Sequence, residues 1–158
     1  MSEDEPDGAA VRLPPPLVYL AAVVVGGILH LLVLPLPLAL PLGLRITLAV
    51  VTAGLGLALG GSAIGYFRRT GQDPKPWKST PEIVSSGAFR LTRNPMYVGM
   101  ALLQTAIALG WGNGWILLLV PVSMVVVYAT AIRHEEAYLE RKFGETYLAY
   151  KRSVRRWI

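Results

Sequence analysis

Four stretches of this chain are almost unbrokenly apolar: residues 17–34, 44–67, 95–110 and 115–132. Apart from Arg45, charged residues are confined to the gaps and the two ends. Each run approaches the ~20 residues that a helix needs to cross the hydrocarbon core of a bilayer. The pattern therefore predicts an all-α polytopic membrane protein with four transmembrane helices. The third run is the shortest and carries Gln104, and its place between two longer runs argues for a span.

Helix breakers punctuate the runs. Pro14, Pro15 and Pro16 precede the first, and Pro35, Pro37 and Pro41 separate the first from the second, so the chain should fold as two helical hairpins with compact outer turns. The second span carries Gly56/Gly60 and Gly61/Gly65, each pair four residues apart on one face. Such faces let helices approach closely in lipid, and packing is the plainest reading of both pairs. Gly61 and Gly65 lie near the charged end, where missing side chains leave room for a flat ligand.

The composition agrees with a membrane protein: 53% of the 158 residues are hydrophobic and 16% charged, with a mean hydropathy of +0.47. Met1 to Asp7 is acidic, unlike the basic start of a signal peptide, so the first span is expected to be retained. Six of the 15 Lys and Arg fall in residues 68–93 and seven in 133–156. The linkers 35–43 and 111–114 carry none, which places both termini and the middle loop in the cytoplasm. The resulting organisation is a disordered acidic and Pro-rich N-terminus (1–16), a single membrane domain (17–158), a cytoplasmic loop (68–94) and a cytoplasmic tail (133–158).

The absence of cysteine excludes a disulfide framework, a thiolate metal site, a catalytic thiol and self-lipidation. A net charge of +5 raises the question of nucleic acid, but cations flanking apolar spans are accounted for by topology and anionic headgroups, and no basic-aromatic recognition module accompanies them. No nucleic-acid partner is expected.

Two polar clusters stand out at what this topology makes the same membrane face. The first is Arg93-Asn94-Pro95-Met96-Tyr97-Val98-Gly99. Pro95 disfavours helix at Asn94, so the third span should start at Pro95, with its first-turn amides unpaired and Arg93 beside them. That end suits a carboxylate or another anion. The competing reading has Arg93 on lipid phosphate, Asn94 capping the helix and Tyr97 in the interfacial aromatic belt.

The second cluster, His134-Glu135-Glu136, follows the last span, where acids are not needed for topology. Two carboxylates there suit a cationic ligand; the alternative is a solvated face with Glu136 paired to Arg133. A zinc site is rejected, because H-E-x-x-H lacks its second histidine and Tyr138 occupies the neighbouring turn. His30, inside the first span, reads as a helix-packing hydrogen bond, although an ionisable group in a span is a candidate for function. The segment around Trp77 reads as a loop able to act as a lid. Leu139, Phe143, Tyr147, Tyr150, Val154 and Trp157 recur at steps of three or four, with cations off the stripe. The tail is thus expected to be an interfacial amphipathic helix that covers a cofactor pocket.

The stretch GAFRLTRNPMYVG, followed after a span pair by EEAYLERKFGETYLAYKRSVRRW, resembles the membrane-embedded methyltransferases that include isoprenylcysteine carboxyl methyltransferase and the phospholipid N-methyltransferases. The likeness covers roughly residues 50–158. It implies transfer of a methyl group from S-adenosylmethionine, entering from the cytosol, to a lipophilic small molecule or lipid entering from the bilayer. Carried over by position, it puts Asn94, Tyr97, Gly99, Glu135 and Glu136 at the cofactor, and Arg93 and Glu136 at the chemistry. A carboxylate acceptor needs a cation such as Arg93 to orient it, whereas an amine needs a proton acceptor such as Glu136. Asn94 stands where the prenylcysteine branch has histidine, and the four-span length is closer to the phospholipid branch, so the acceptor stays open. A non-catalytic lipid-binding protein is the alternative from another class. The oligomeric state is not encoded in any of these features.

Overall fold

The computed structural model describes residues 8–11, 13–71, 78 and 80–158. The acidic stretch 1–7 and the loop around Trp77 lie outside the described residues. The fold is all-α, with no strand among the described residues. Helix α1 (Pro15–Ile28) begins with proline in its first turn, where no amide is missed, and is prolonged by a widened turn over Leu29–Val33. Helix α2 covers Leu42–Thr70 and stops at Gly71, whose φ of 70° requires the left-handed conformation glycine adopts freely. After a short turn at Gly87–Arg90, α3 runs Pro95–Trp111, starting at the proline that the sequence marked. Helix α4 (Gly114–Val127) passes through a second widened turn, Tyr128–Ile132, into α5 (Arg133–Phe143), and α6 covers Glu145–Ser153.

Three helical stretches are long and apolar enough to cross a membrane: Pro15–Val33, Leu42–Thr70 and Gly114–Phe143. Only 11% of the most apolar window of α2 is buried by protein, so its large side chains are available to lipid. Helix α3, at 17 residues, is shorter; at ~1.5 Å per residue it reaches roughly 25 Å. It is also the best-shielded helix, burying Tyr97, Val98, Ala101, Gln104, Ala106, Ala108 and Leu109. Packing contacts from α1, α2 and α4 all converge on it.

The expected pairing of α1 with α2 is corrected here. Helix α1 packs on α4 and α3, while α2 packs on α3. The Pro-rich linker explains the separation: it crosses the C-terminal end of α3, where Leu38 N donates to Gly112 O (2.9 Å) and Gly114 N to Leu36 O (2.7 Å). The two helices it joins therefore lie on different sides of α3. Asn113 ties this end together, accepting from Trp115 N and Ile116 N as the cap of α4 and donating to Gly26 O (3.1 Å) of α1. His30 serves the same linker: its Nδ1 accepts from Leu36 N at 3.2 Å, in place of the expected helix-to-helix bond.

The predicted tail helix is interrupted. Gly144, at φ 53°, turns the chain between α5 and α6, so the aromatic stripe is carried by two short helices and not by one. The turn folds α6 back, and Lys151 pairs with Glu140 across it.

Candidate functional site

The two polar clusters meet. Arg93, Asn94, Pro95, Met96 and Tyr97 from the start of α3, and Glu135, Glu136, Tyr138 and Leu139 from α5, wall one cleft, which Phe67, Phe89, Tyr147 and Tyr150 close with aromatic surface. Its empty space, counted out to an open mouth, is about 860 Å³. The widened turn at Tyr128–Ile132 immediately precedes the acidic pair and resets the helix phase there, as such turns do near functional sites.

The two acids have different surroundings. Glu136 is buried and held by three cations: Arg156 grips it with both arms (Nε to Oε1 and Nη2 to Oε2, each 2.9 Å), Arg93 Nη2 lies 3.3 Å from Oε1, and Lys151 Nζ lies 4.0 Å from Oε2. Arg133, the partner in the alternative reading of a solvated face, is not among these cations. The hydrogen bond to Glu136 raises the Arg156 guanidinium further above its ordinary range. Among the described residues no guanidinium pairs with Glu135, which accepts the hydroxyl of Tyr97. Tyr97 is fixed in turn, because its carbonyl accepts the hydroxyl of Tyr19 from α1 at 3.0 Å.

Arg93 is the unusual group. Its side chain is 7% exposed, yet among the described residues Nε and Nη1 meet no acceptor in hydrogen-bond geometry, although the Tyr147 phenol lies close enough to feel the guanidinium. Buried donors without partners are costly, and an acceptor brought by a ligand removes that cost. Glu136 faces two guanidiniums, Arg93 and Arg156, while Lys151 is taken mainly by Glu140.

The first turn of α3 is more committed than expected. Tyr97 N and Val98 N both donate to Asn94 O, at 3.1 and 3.0 Å. The Asn94 side chain neither caps the helix nor points its amide at open cleft; its Nδ2 donates to Arg156 O at 3.0 Å. Gly99 is not among the cleft walls. It lies on the α2 contact, where an added Cβ would come within 2.8 Å of Gly56 O and 3.2 Å of Gly60 N. Gly61 and Gly65 have nothing within 4 Å of such a Cβ and face open space.

Sequence reasoning missed Thr92, Arg156 and Tyr19. Thr92 is fully buried, accepts from Asn94 N and donates to Arg156 O. The tail aromatics do sit over the cleft: Tyr150 donates to Phe89 O at 2.7 Å, and burial pushes its phenol up to about 12, so it stays a donor at neutral pH.

Comparison with known proteins places this geometry. An uncharacterized protein of Haemophilus influenzae is 41% identical over 63 residues, 40% of this chain and the whole of that protein. No solved structure matches the chain. Residues 44–146 match the family described as phospholipid methyltransferase, a stretch that contains Arg93, Asn94, Tyr97, Glu135 and Glu136. With most of its length inside that match and three membrane-length apolar helices, this chain is an integral membrane protein belonging to the phospholipid methyltransferase family.

Proposed function

We propose that the protein transfers a methyl group from S-adenosylmethionine to a lipophilic acceptor drawn from the bilayer, with the cleft between α3 and α5 as the reaction site. The observation that carries this reading is the buried Arg93 guanidinium, two of whose N–H groups meet no acceptor among the described residues, on the same cleft as the Glu135 carboxylate, which no described guanidinium pairs. An amino-acid ligand end presents a carboxylate and an ammonium. Arg93 complements the first and Glu135 the second. The aromatic walls fit a flat base and a sulfonium, whose positive charge is attracted to ring faces.

When bound, S-adenosylmethionine supplies a methyl group on a positively charged sulfur, which keeps the electrons of the broken bond and becomes a neutral thioether. The chain's own contribution is alignment and exclusion of water, because a displacement of this kind needs acceptor and methyl in line in a dry site. Tyr97, held from behind by Tyr19, fixes the Glu135 carboxylate. If the acceptor is an amine, the proton it loses goes to Glu135, because the lone pairs of Glu136 are engaged by Arg156 and Arg93. The family match supports a lipid amine as acceptor. Arg93 serves equally to orient an ionised carboxylate.

In this reading α3 is a fourth crossing, shortened because protein and not lipid surrounds it, and both termini with the cleft are cytoplasmic. The cation distribution supports that orientation. Titration of S-adenosylhomocysteine into detergent-solubilised protein by calorimetry tests the proposal. Micromolar binding by the wild type, weakened at least about tenfold in Arg93→Ala and Tyr97→Phe, is expected; no binding by the wild type removes the basis for this function.

A further inference from the structure

Residues 154–158 form a short extended strap that no helix claims, beginning at Val154 with φ −127° and ψ 133°. They lie beyond the 44–146 stretch shared with the family. Their contacts nevertheless reach both segments that carry the polar clusters, the start of α3 and α5. Arg93 N donates to Arg155 O at 2.9 Å. Thr92 Oγ1 and Asn94 Nδ2 both donate to Arg156 O, at 2.9 and 3.0 Å. The Arg156 guanidinium grips Glu136 of α5 and lies 4.8 Å from the centre of the Tyr128 ring. Trp157 packs against the core cluster that holds Tyr19 and Tyr97.

We infer that this strap is part of the ligand site, with Arg156 a positioning residue that fixes how Arg93 meets an anionic ligand. The inference rests on the methyl-donor reading above. Glu136 has two oxygens and two guanidiniums compete for them. Arg156 takes both oxygens at 2.9 Å, while Arg93 is left with a single longer approach of 3.3 Å through Nη2. Arg93 therefore keeps Nε and Nη1 unspent. Without Arg156, Glu136 is free to draw Arg93 into the two-armed pairing that guanidinium and carboxylate prefer, and the donors turn away from the cleft. The strap's backbone acceptors act in the same sense, holding Thr92, Arg93 and Asn94 in register with α5.

The effect should be confined to the amino-acid end of a ligand, and that makes it separable from loss of fold. S-adenosylhomocysteine carries that end and 5′-methylthioadenosine does not. Binding of both compounds is measured by calorimetry on solubilised wild type, Arg156→Ala and Arg156→Lys. The wild type is expected to prefer S-adenosylhomocysteine. Arg156→Ala should lose at least about tenfold for S-adenosylhomocysteine while binding methylthioadenosine as the wild type does, and Arg156→Lys, which cannot grip with two arms, should fall between. A wild type with no preference between the two compounds overturns the assignment of the amino-acid end to Arg93 and Glu135. A wild type with that preference and an Arg156→Ala variant that keeps it overturns the strap's role, as does equal loss of both compounds.

Discussion

Glu135 and Glu136 are neighbours in sequence with separate duties. Glu136 has a side chain 10% exposed and balances Arg93, Arg156 and Lys151. Replacing it with glutamine leaves two guanidiniums without a counter-charge, and we expect a loss of about 3 kcal/mol in stability, read as a lower midpoint in thermal unfolding in detergent. Glu135→Gln removes no ion pair; its stability should change by about 1 kcal/mol or less while S-adenosylhomocysteine binding weakens. Equal melting of the two variants would contradict this division. Sequence alone named both acids, because adjacent carboxylates after a span have no topological purpose. It assigned the chemistry to Glu136, since nothing in a linear pattern reveals that Arg156, twenty residues on, takes that carboxylate. Thr92 escaped for the same reason: its partner is 64 residues away.

At the scale of elements, helix ends were legible and helix neighbours were not. Pro95 and the prolines around 35–41 act locally, through a missing amide, and the boundaries fall where they stand; Gly71, which stops α2 three residues past the expected end, carries no such mark. Which helices touch depends on α3, which draws α1 and α2 to different sides and leaves the first hairpin unpacked. The glycines of α2 separate by the same contact. Gly99→Val places atoms against the α2 backbone at Gly56, and a cost of about 1–3 kcal/mol is expected. Gly61→Ala meets nothing and should be neutral, or stabilise by up to ~1 kcal/mol, because alanine orders more easily in a helix. Thermal unfolding of the two single variants side by side checks this; comparable destabilisation would mean that α2 presents a different face to α3.

At the scale of the whole molecule, the proposed fold holds a polar cleft at one end of an apolar bundle, so that a water-soluble donor and a bilayer-borne acceptor can meet there. The absence of cysteine makes the orientation directly measurable. A membrane-impermeant maleimide should label Ser153→Cys only from the cytoplasmic face and Ala39→Cys only from the opposite one; the reverse pattern would invert the topology. The central claim is that this cleft passes a methyl group to a lipid. Its most direct test is incubation of the purified protein with methyl-labelled S-adenosylmethionine and a total membrane lipid extract, followed by mass spectrometry of the lipids. Label in a lipid product with the wild type, lost in Arg93→Ala, is the predicted result. Wild-type protein that leaves every lipid unlabelled, or label that persists undiminished in Arg93→Ala, would contradict it.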